Sequence, residues 1–558
     1  MSIPKHLKKY VVDQDYQRYT PEDHAVWRYI LKHLSRFLAR YAHPCYIEGL
    51  KKTGITLEEI PRIENIDQKL KEFGWQAVPV SGFIPPAAFM EFQSQGFLPI
   101  ASDMRSLDHL QYTPAPDIVH EAAGHAPILI DPDFSSYLQQ YAQVAKKAII
   151  SQEDLKQYSL IRKLSDIKES PDSTPELIKQ IEDQLLECNQ NITFVSEAAY
   201  LSRMNWWTAE YGLIGDIHNP KIFGAGLLSS LGESQNCLSD KVKKIPLTLE
   251  CINYSYDITE QQPQLFVTPS FENLSSTLEE LAQQMAFQRG GITGLEKACK
   301  AKTVNTVQLD NGLEISGVID NFKSSNNEIH FLRCSGPTQL SYNGQELDGH
   351  DKNYHSQGYS TPLGLINGLN KPLSLASPSE WESLGITLNN TVKLTFSSGI
   401  ELTGFVKKLL IKNNKLLIVT LDKAKLIDGE KLLFDPSWGL FDLGVGHQVV
   451  SVYGGAADRL AYGDFDDDFV ANTVPKRNYT HNELAIHHLY SKIREFRSFK
   501  QAPRELKELI DSTITMNALP WLINYELVEL IEKFHLSGEY REFIDNQSNN
   551  EYISQTSF

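Results

Sequence analysis

No apolar run in the sequence approaches the roughly 18 residues that a membrane span requires, so an integral membrane protein is not expected. Paired cysteines are missing as well. The six that occur (Cys45, Cys188, Cys237, Cys251, Cys299 and Cys334) are scattered without a CxxC. That pattern suits reduced thiols in the cytosol better than a disulfide framework. Positive charge is in deficit, 53 Lys and Arg against 70 Asp and Glu, a formal charge of −17. A primary nucleic-acid binder needs a basic stripe to meet phosphates, and attachment to anionic lipid needs a polybasic segment. Neither partner is expected. The residues up to Asp23 hold no apolar core long enough for a signal peptide, and a cytoplasmic location follows as the expectation. What is present is an ordinary globular composition, 41% apolar and 22% charged over 558 residues. Wholesale disorder is excluded, and three or four domains are expected at roughly 150 residues each.

The sequence changes texture along its length and reads as a multidomain α+β protein. Residues 1–295 are mainly helical. Thr20-Pro21-Glu22-Asp23 reads as an N-cap, a proline at the first helical position and two acids in the first turn; Val26, Trp27, Ile30, Leu31, Leu34 and Leu38 follow at helical spacing. Within this part, about 146–193 reads as an inserted helical hairpin broken at Ser170–Pro175, a surface excursion of small entropic cost. Residues 300–458 show short β-branched runs separated by turn signals such as Asp310-Asn311-Gly312. VQLDNGLEISGVI (307–319) resembles VKLTFSSGIELTGFV (392–406) with Gly312 and Gly317 falling on Gly399 and Gly404 at an offset of 87. Two all-β repeats, packed as small barrels or one sandwich, are expected there. They show no metal-ligand pattern and no phosphate cradle, so a scaffolding or interaction role is expected. Residues 459–558 are expected to begin with an acidic linker, Asp464 to Asp468, and continue as a helical tail. Leu484, His488, Ile493 and Phe496 mark one helix, Leu522 to Phe534 another, and the last dozen residues are expected to fray. The amphipathic tail is a candidate interface for a homo-oligomer.

Chemistry concentrates in Tyr112-Thr-Pro-Ala-Pro-Asp-Ile-Val-His120-Glu-Ala-Ala-Gly-His125-Ala-Pro127. Two histidines with a carboxylate between them suggest the zinc-protease HExxH, but the spacing is i,i+5. On an α-helix an i,i+4 pair is ~40° apart and an i,i+5 pair ~140°. His125 joins His120 on one ion only if the helix loosens, and Gly124 and Pro127 supply that freedom. A third ligand is needed, with Asp117, Asp131, Asp133, Glu197 and Glu210 as candidates. Two imidazoles and a carboxylate make the facial triad of non-haem iron(II) enzymes, and a catalytic zinc uses the same ligand types.

The stretches TPAPDIVHEAAGHAP, NWWTAEYGL, GAGLLSSLGE (224–233) and CLSDKVKKIPLTLE (237–250) occur in this order. From about 19 to 290 the chain resembles the catalytic domain of the pterin-dependent aromatic amino acid hydroxylases, nearest to their phenylalanine 4-hydroxylase branch. Only about twenty residues precede it, so the N-terminal regulatory domain of animal members is not expected. The resemblance implies that His120, His125 and Glu210 hold iron(II). It implies that Arg105 pairs the substrate carboxylate, that Thr113, Gly226 and Ser229 line the amino acid backbone site, and that Trp206 and Tyr211 wall the substrate ring. Gly82, Ile84, Phe89 and Glu121 are implied at the pterin. The pterin loop departs from animal members at Pro85-Pro86, and Asn205 replaces a tyrosine.

The activity implied is monooxygenation of an aromatic amino acid by O2 and a tetrahydropterin, tetrahydrobiopterin or a relative, at iron(II). Ile258 falls where tyrosine hydroxylases carry an acid, and Trp206 where tryptophan hydroxylases tend to have phenylalanine. Together they point to L-phenylalanine becoming L-tyrosine, although a one-residue shift would bring Asp257 to the first position. The alternatives are a tryptophan or tyrosine hydroxylase and, from other classes, a zinc-dependent hydrolase on HEAAGH or a catalytically silent binding scaffold.

Overall fold

A computed structural model describes residues 3–82, 84–110, 116–169, 173–258, 260–463, 479–516 and 519–547. Thr113, the acidic linker at 464–468 and the last dozen residues bar Gln547 lie outside the described residues. Among the described residues no helix is long and apolar enough to cross a membrane.

The helix Pro21–Tyr41 begins with a capping box. Thr20 Oγ1 accepts the Asp23 amide at 3.1 Å, and the Asp23 carboxylate accepts the Thr20 amide at 2.7 Å. Its inner face buries Val26, Trp27, Ile30, Leu31, Leu34 and Leu38, each side chain contributing about 1.5–3 kcal/mol on burial. Around it lie a two-stranded parallel sheet, β1 (Gln76–Val80) and β2 (Phe97–Ala101), and a four-stranded one. The latter contains β3 (Leu213–Asp216), β4 (Asn219–Ile222), β5 (Lys243–Pro246) and β6 (Gln264–Thr268) in the order β4-β3-β6-β5. Helices Gln152–Glu169 and Pro175–Gln190 pair as a hairpin, tied by Gln157 Nε2 to Asn189 Oδ1 at 2.7 Å and Lys168 to Glu182 at 2.9 Å.

Two further sheets follow. The first comprises β7 (Val304–Leu309), β8 (Leu313–Ser325), β9 (Glu328–Tyr342), β10 (Gln345–Glu346) and β11 (Gly358–Pro362). The second comprises β12 (Thr391–Thr395), β13 (Ile400–Lys412), β14 (Lys415–Asp428), β15 (Lys431–Phe434) and β16 (Phe441–Gly444). The last strand, β17 (Val449–Gly454), returns to pair with β7, closing the first sheet in the order β10-β9-β8-β7-β17. Strand β8 starts and ends 87 residues before β13. The register breaks between β8 and β9 (Ser316/Val318, Ile319/Asn321, Lys323/Ser324) recur between β13 and β14 (Thr403/Phe405, Val406/Lys408, Leu410/Ile411) at that same offset. Both hairpins turn on Asn-Asn with positive φ, +52° and +63° at Asn326-Asn327 and +49° and +61° at Asn413-Asn414. Two-residue hairpin turns need that conformation, and Asn tolerates it better than most residues.

The helices His481–Arg497, Arg504–Ile514 and Trp521–Lys533 build no core of their own. Their apolar faces join the core of residues 19–285, with Trp521 and Tyr525 edge-on to Tyr29 at 5.0 and 4.9 Å. The buried face of His481–Arg497 is Leu489, Tyr490, Ile493 and Phe496, while Leu484 and His488 are exposed. The expected stripe was out of phase at its start, because the helix it packs on selects the face. Arg28 joins this interface through Glu58 (2.7 Å), Glu526 (3.0 Å) and Glu529.

Candidate active site

The first local surprise is the helix carrying the two histidines. Val119–His125 winds as a π-helix. Its i→i+5 bonding places residues five apart nearly above one another, which removes the ~140° separation an α-helix would impose. Gly124 serves close packing here: a Cβ on it would lie 2.7 Å from the Ala225 carbonyl oxygen. A second π-turn, Trp206–Glu210, ends on the carboxylate.

Together the two wide turns bring three donor atoms to a point. His120 Nε2 and His125 Nε2 are 3.2 Å apart, and the Glu210 oxygens lie 3.2 Å from the first and 3.3 Å from the second. The other four candidates are engaged elsewhere. Buried Glu197 accepts the Ala286 amide (2.7 Å), Lys297 (2.9 Å) and the Ile149 amide (3.2 Å). Asp131 caps the helix Pro132–Ala145, Asp133 sits exposed in its first turn, and Asp117 clamps Arg105.

The protonation pattern suits a cation. Ser229 Oγ donates to the Ala225 carbonyl at 2.7 Å and so is free to accept from His120 Nδ1 at 3.2 Å. That bond keeps the proton on Nδ1 and turns the Nε2 lone pair toward Glu210 and His125. Burial disfavours a charged Glu210, but where no cation is bound, protonated imidazoles at His125 and His120 outweigh it and hold the carboxyl well below the usual range; a bound cation would take the place of that positive charge. Glu121 has the opposite balance. Burial pushes its carboxyl up to about 8, and Oε2 has no hydrogen-bond partner among the described residues. Two imidazoles and one carboxylate, with donor atoms converging at this spacing, fit a six-coordinate iron(II) with three positions left for other ligands.

Arg105 is held from both ends. Nε and Nη2 donate to the two oxygens of Asp117 at 2.7 and 2.8 Å, and Nη1 reaches the Ser229 carbonyl at 3.3 Å. The guanidinium outweighs the burial of Asp117 and lowers its carboxyl, and Asp117 also accepts the His120 amide at 3.0 Å. One carboxylate therefore orients both the arginine and the first turn of the metal helix. Asp117 is thus no ligand but the residue that orients the site. The signal available was its place three residues before His120, where an Asx oxygen reaches back to a helix N-terminus.

Trp206 is sandwiched. Its ring stacks on Tyr211 at 4.4 Å and on Tyr256 at 4.3 Å, and Tyr256 hydrogen-bonds Ser202 at 2.7 Å. Trp207 points into the core, donating to the Tyr254 carbonyl at 3.0 Å and packing on Phe266. Gly226 lets the segment after β4 approach: a Cβ there would meet the Tyr211 ring at 2.8 Å and the Glu210 carbonyl oxygen at 3.1 Å. Ile258 is half-buried in the turn just after Tyr256. Gly82 (φ +57°) donates its amide to Asp103 at 3.1 Å, and the buried Ile84 offers its carbonyl to Tyr158 Oη at 2.9 Å. Phe89 packs half-buried on the small cluster around Val78, Val80 and Phe92. Tyr256 and Tyr158 are contacts that the linear motifs did not mark, since each comes from a segment remote from the residue it touches.

A family model described as biopterin-dependent aromatic amino acid hydroxylase matches residues 8–161 and 187–324, more than half of the chain. The chain belongs to that family. The match passes over 162–186, inside the helical hairpin, and continues beyond residue 290 into β7 and β8. A phenylalanine-4-hydroxylase from Mesorhizobium japonicum is 30% identical over 274 residues, 48% of this chain and 83% of that protein. One from Rattus norvegicus is 30% identical, covering 47% of this chain and 50% of the relative. A crystal structure of phenylalanine hydroxylase from Chromobacterium violaceum with iron(III) and 7,8-dihydrobiopterin is 26% identical, with a TM-score of 0.39 over 51% of this chain and 93% of that one.

Proposed function

We propose that the chain is a phenylalanine 4-monooxygenase, converting L-phenylalanine to L-tyrosine with O2 and a tetrahydropterin at a non-haem iron(II) site. The convergence of His120, His125 and Glu210 within 3.3 Å carries the reading in a chain of this family. With iron bound, the pterin supplies two electrons to O2, one oxygen atom going to the aromatic ring and the other to the pterin.

The protein's own part is to bind, orient and keep dry. Arg105, fixed by Asp117 along one edge, turns its remaining edge to the substrate carboxylate, a pairing suited to a planar fork. Gly226 and Ser229 line the amino acid backbone. Trp206, held between Tyr211 and Tyr256, offers a rigid apolar edge to the substrate ring, and the three-ring stack excludes water from the reacting atoms. Ser229 holds the His120 proton on Nδ1. Gly82, Ile84 and Phe89 face the pterin, with the unmet carboxyl of Glu121 beside it. Ile258 leaves no acid at the position that would favour tyrosine as substrate.

We further read residues 1–295 as the catalytic domain with a helical-hairpin insertion, 300–458 as a duplicated all-β unit, and 459–558 as a helical tail. The matching register breaks of β8 and β13 support the duplication. A cytoplasmic location agrees with six free thiols. Because the tail lays its apolar face on the helix Pro21–Tyr41 of its own chain, a homo-oligomer would use another face of it.

The test is aerobic turnover of L-phenylalanine with ferrous iron and tetrahydrobiopterin, following tyrosine and oxidised pterin together, with Glu210→Ala as control. Tyrosine formed in step with pterin oxidation, and lost in the variant, is expected. Pterin oxidation without tyrosine would redirect the search to another aromatic acid, and a preference for L-tyrosine over L-phenylalanine would overturn the substrate assignment.

A further inference from the structure

The sequence showed no metal pattern in residues 300–458, yet the fold assembles one there. His350 and His355 lie in the loop between β10 and β11, on the first β sheet, and Asp442 lies in β16 of the second. All three side chains are buried. His350 Nδ1 is 3.2 Å from His355 Nε2 and 3.9 Å from Asp442 Oδ2.

The loop is built to hold this arrangement. The amides of Leu340 and Thr338 in β9 donate to the carbonyls of His350 (3.0 Å) and His355 (3.2 Å), which pins the chain at both histidines. Between them, Asp351 Oδ1 accepts the amides of Asn353 (2.9 Å) and Tyr354 (2.7 Å), closing a tight turn. On the other sheet, Thr420 Oγ1 donates to Asp442 Oδ1 at 2.5 Å; Asp442 also shares a hydrogen bond with the Tyr354 hydroxyl, and its second oxygen lies 3.9 Å from His350 Nδ1.

A simple hydrogen-bonded triad does not account for the geometry. A His–His hydrogen bond satisfies one pair of nitrogens, but 3.9 Å between Asp442 and His350 is too long for the next link. Among the described residues no Lys or Arg pairs with Asp442, so a buried carboxylate stands without a permanent cation, which is costly. An ion bonded at about 2.0–2.1 Å in tetrahedral geometry holds its donors roughly 3.3 Å apart; the two imidazole nitrogens already stand at that spacing, and with all three donors within 4.8 Å of one another Asp442 would draw in toward the ion on loading. The hydroxylase centre of this same chain has its donor atoms 3.2–3.3 Å apart, and the histidines of both clusters are five residues apart in sequence.

We propose that His350, His355 and Asp442 form a second metal site, separate from the hydroxylase centre, that takes a divalent first-row transition ion of the zinc(II) type and ties the two β sheets together. Two imidazoles and a carboxylate are an ordinary donor set for such an ion, and the fourth position falls to water. Held between a loop of one sheet and a strand of the other, the ion would bridge the two sheets.

The experiment is zinc(II) titration of the metal-stripped full-length protein against a chromogenic chelator. Two tight equivalents are expected for the unaltered chain. His120→Ala/His125→Ala should remove one, and Asp442→Asn or His355→Asn the other. A single equivalent that disappears with His120→Ala/His125→Ala overturns the proposal, as does a second equivalent indifferent to both Asp442→Asn and His355→Asn. Should those variants fail to fold, zinc-edge anomalous scattering from zinc-loaded crystals of the unaltered chain decides. A peak among the three side chains is expected there, and its absence refutes the site.

Discussion

Ser229 touches no reacting atom in the arrangement described, yet it decides which nitrogen of His120 is free. Ser229→Ala should lower iron(II) affinity by roughly 10–100-fold, as is usual when the partner of a ligating histidine is removed, while leaving the melting temperature nearly unchanged. Competition with a ferrous chelator reads the first effect and calorimetry the second. A different histidine governs response to acid. His24 is buried, accepts the Ile60 amide at 3.2 Å, and burial lowers its pKa to about 4. Between pH 6.5 and 4 the unfolded chain takes up a proton that the folded chain refuses, so His24 stabilises fully above 6.5 and loses that contribution as the pH falls. From pH 7 to 5 the loss amounts to about 2 kcal/mol. His24→Gln should flatten that part of the pH profile in denaturant titrations; an unchanged slope would show that His24 is not the group responsible. The three converging donors of the hydroxylase centre were legible because they sit in long, ordered motifs. The second cluster was not, although His350 and His355 repeat the five-residue spacing, because Asp442 reaches them through long-range contacts, the pairing of β16 with β14 and the bonds of Gly444 to Thr361 in β11.

At the scale of elements, the two π-turns explain what spacing alone left open. The sequence indicated that the helix around His120 had to loosen, and glycine and proline marked where. Nothing in the residue pattern states that the loosening is a wider helix rather than a break, because the choice is made by packing, with Gly124 seated on Ala225. The inserted hairpin offers a sharper case. Its first helix reaches the loop read as pterin-binding through the bond from Tyr158 Oη to the Ile84 carbonyl. Tyr158→Phe should free that loop and raise the KM for tetrahydropterin several-fold, with the KM for phenylalanine nearly unchanged. One hydrogen bond of this kind contributes about 0.5–1.5 kcal/mol, a factor of roughly 2 to 13. Equal changes in both constants would place the bond's effect elsewhere.

At the scale of the whole molecule, the tail is fastened to the catalytic helix by charge as well as by apolar packing. Glu526 is almost fully buried between Arg28 and Arg497. Glu526→Ala removes a carboxylate from between two buried cations, leaving Arg497 with only Glu529 at 3.8 Å, and should cost about 3 kcal/mol, whereas the triple exchange Arg28→Met/Arg497→Met/Glu526→Leu, which leaves no cation there and Glu529 paired with Lys32, should cost much less. Equal losses in urea unfolding would contradict the desolvation argument. The repeat at 87 residues could be read from glycines and asparagines, since those positions demand particular backbone angles. The partner of the first repeat strand could not, because β17 bears no resemblance to the strands it joins. That pairing has a consequence for the order of events during synthesis. Val449 pairs with Leu309 across roughly 140 residues of intervening chain, and Gly290, at the end of the helical part, packs against the Val450 carbonyl oxygen. At about 5–20 residues per second on the ribosome, β7 waits on the order of 10 s for its neighbour to exist. Through that interval the edge of β7 and the Gly294 side of the helix Gly291–Ala301 wait uncovered, and both the speed of elongation and the chaperones that meet the nascent chain bear on how much of it reaches the native state.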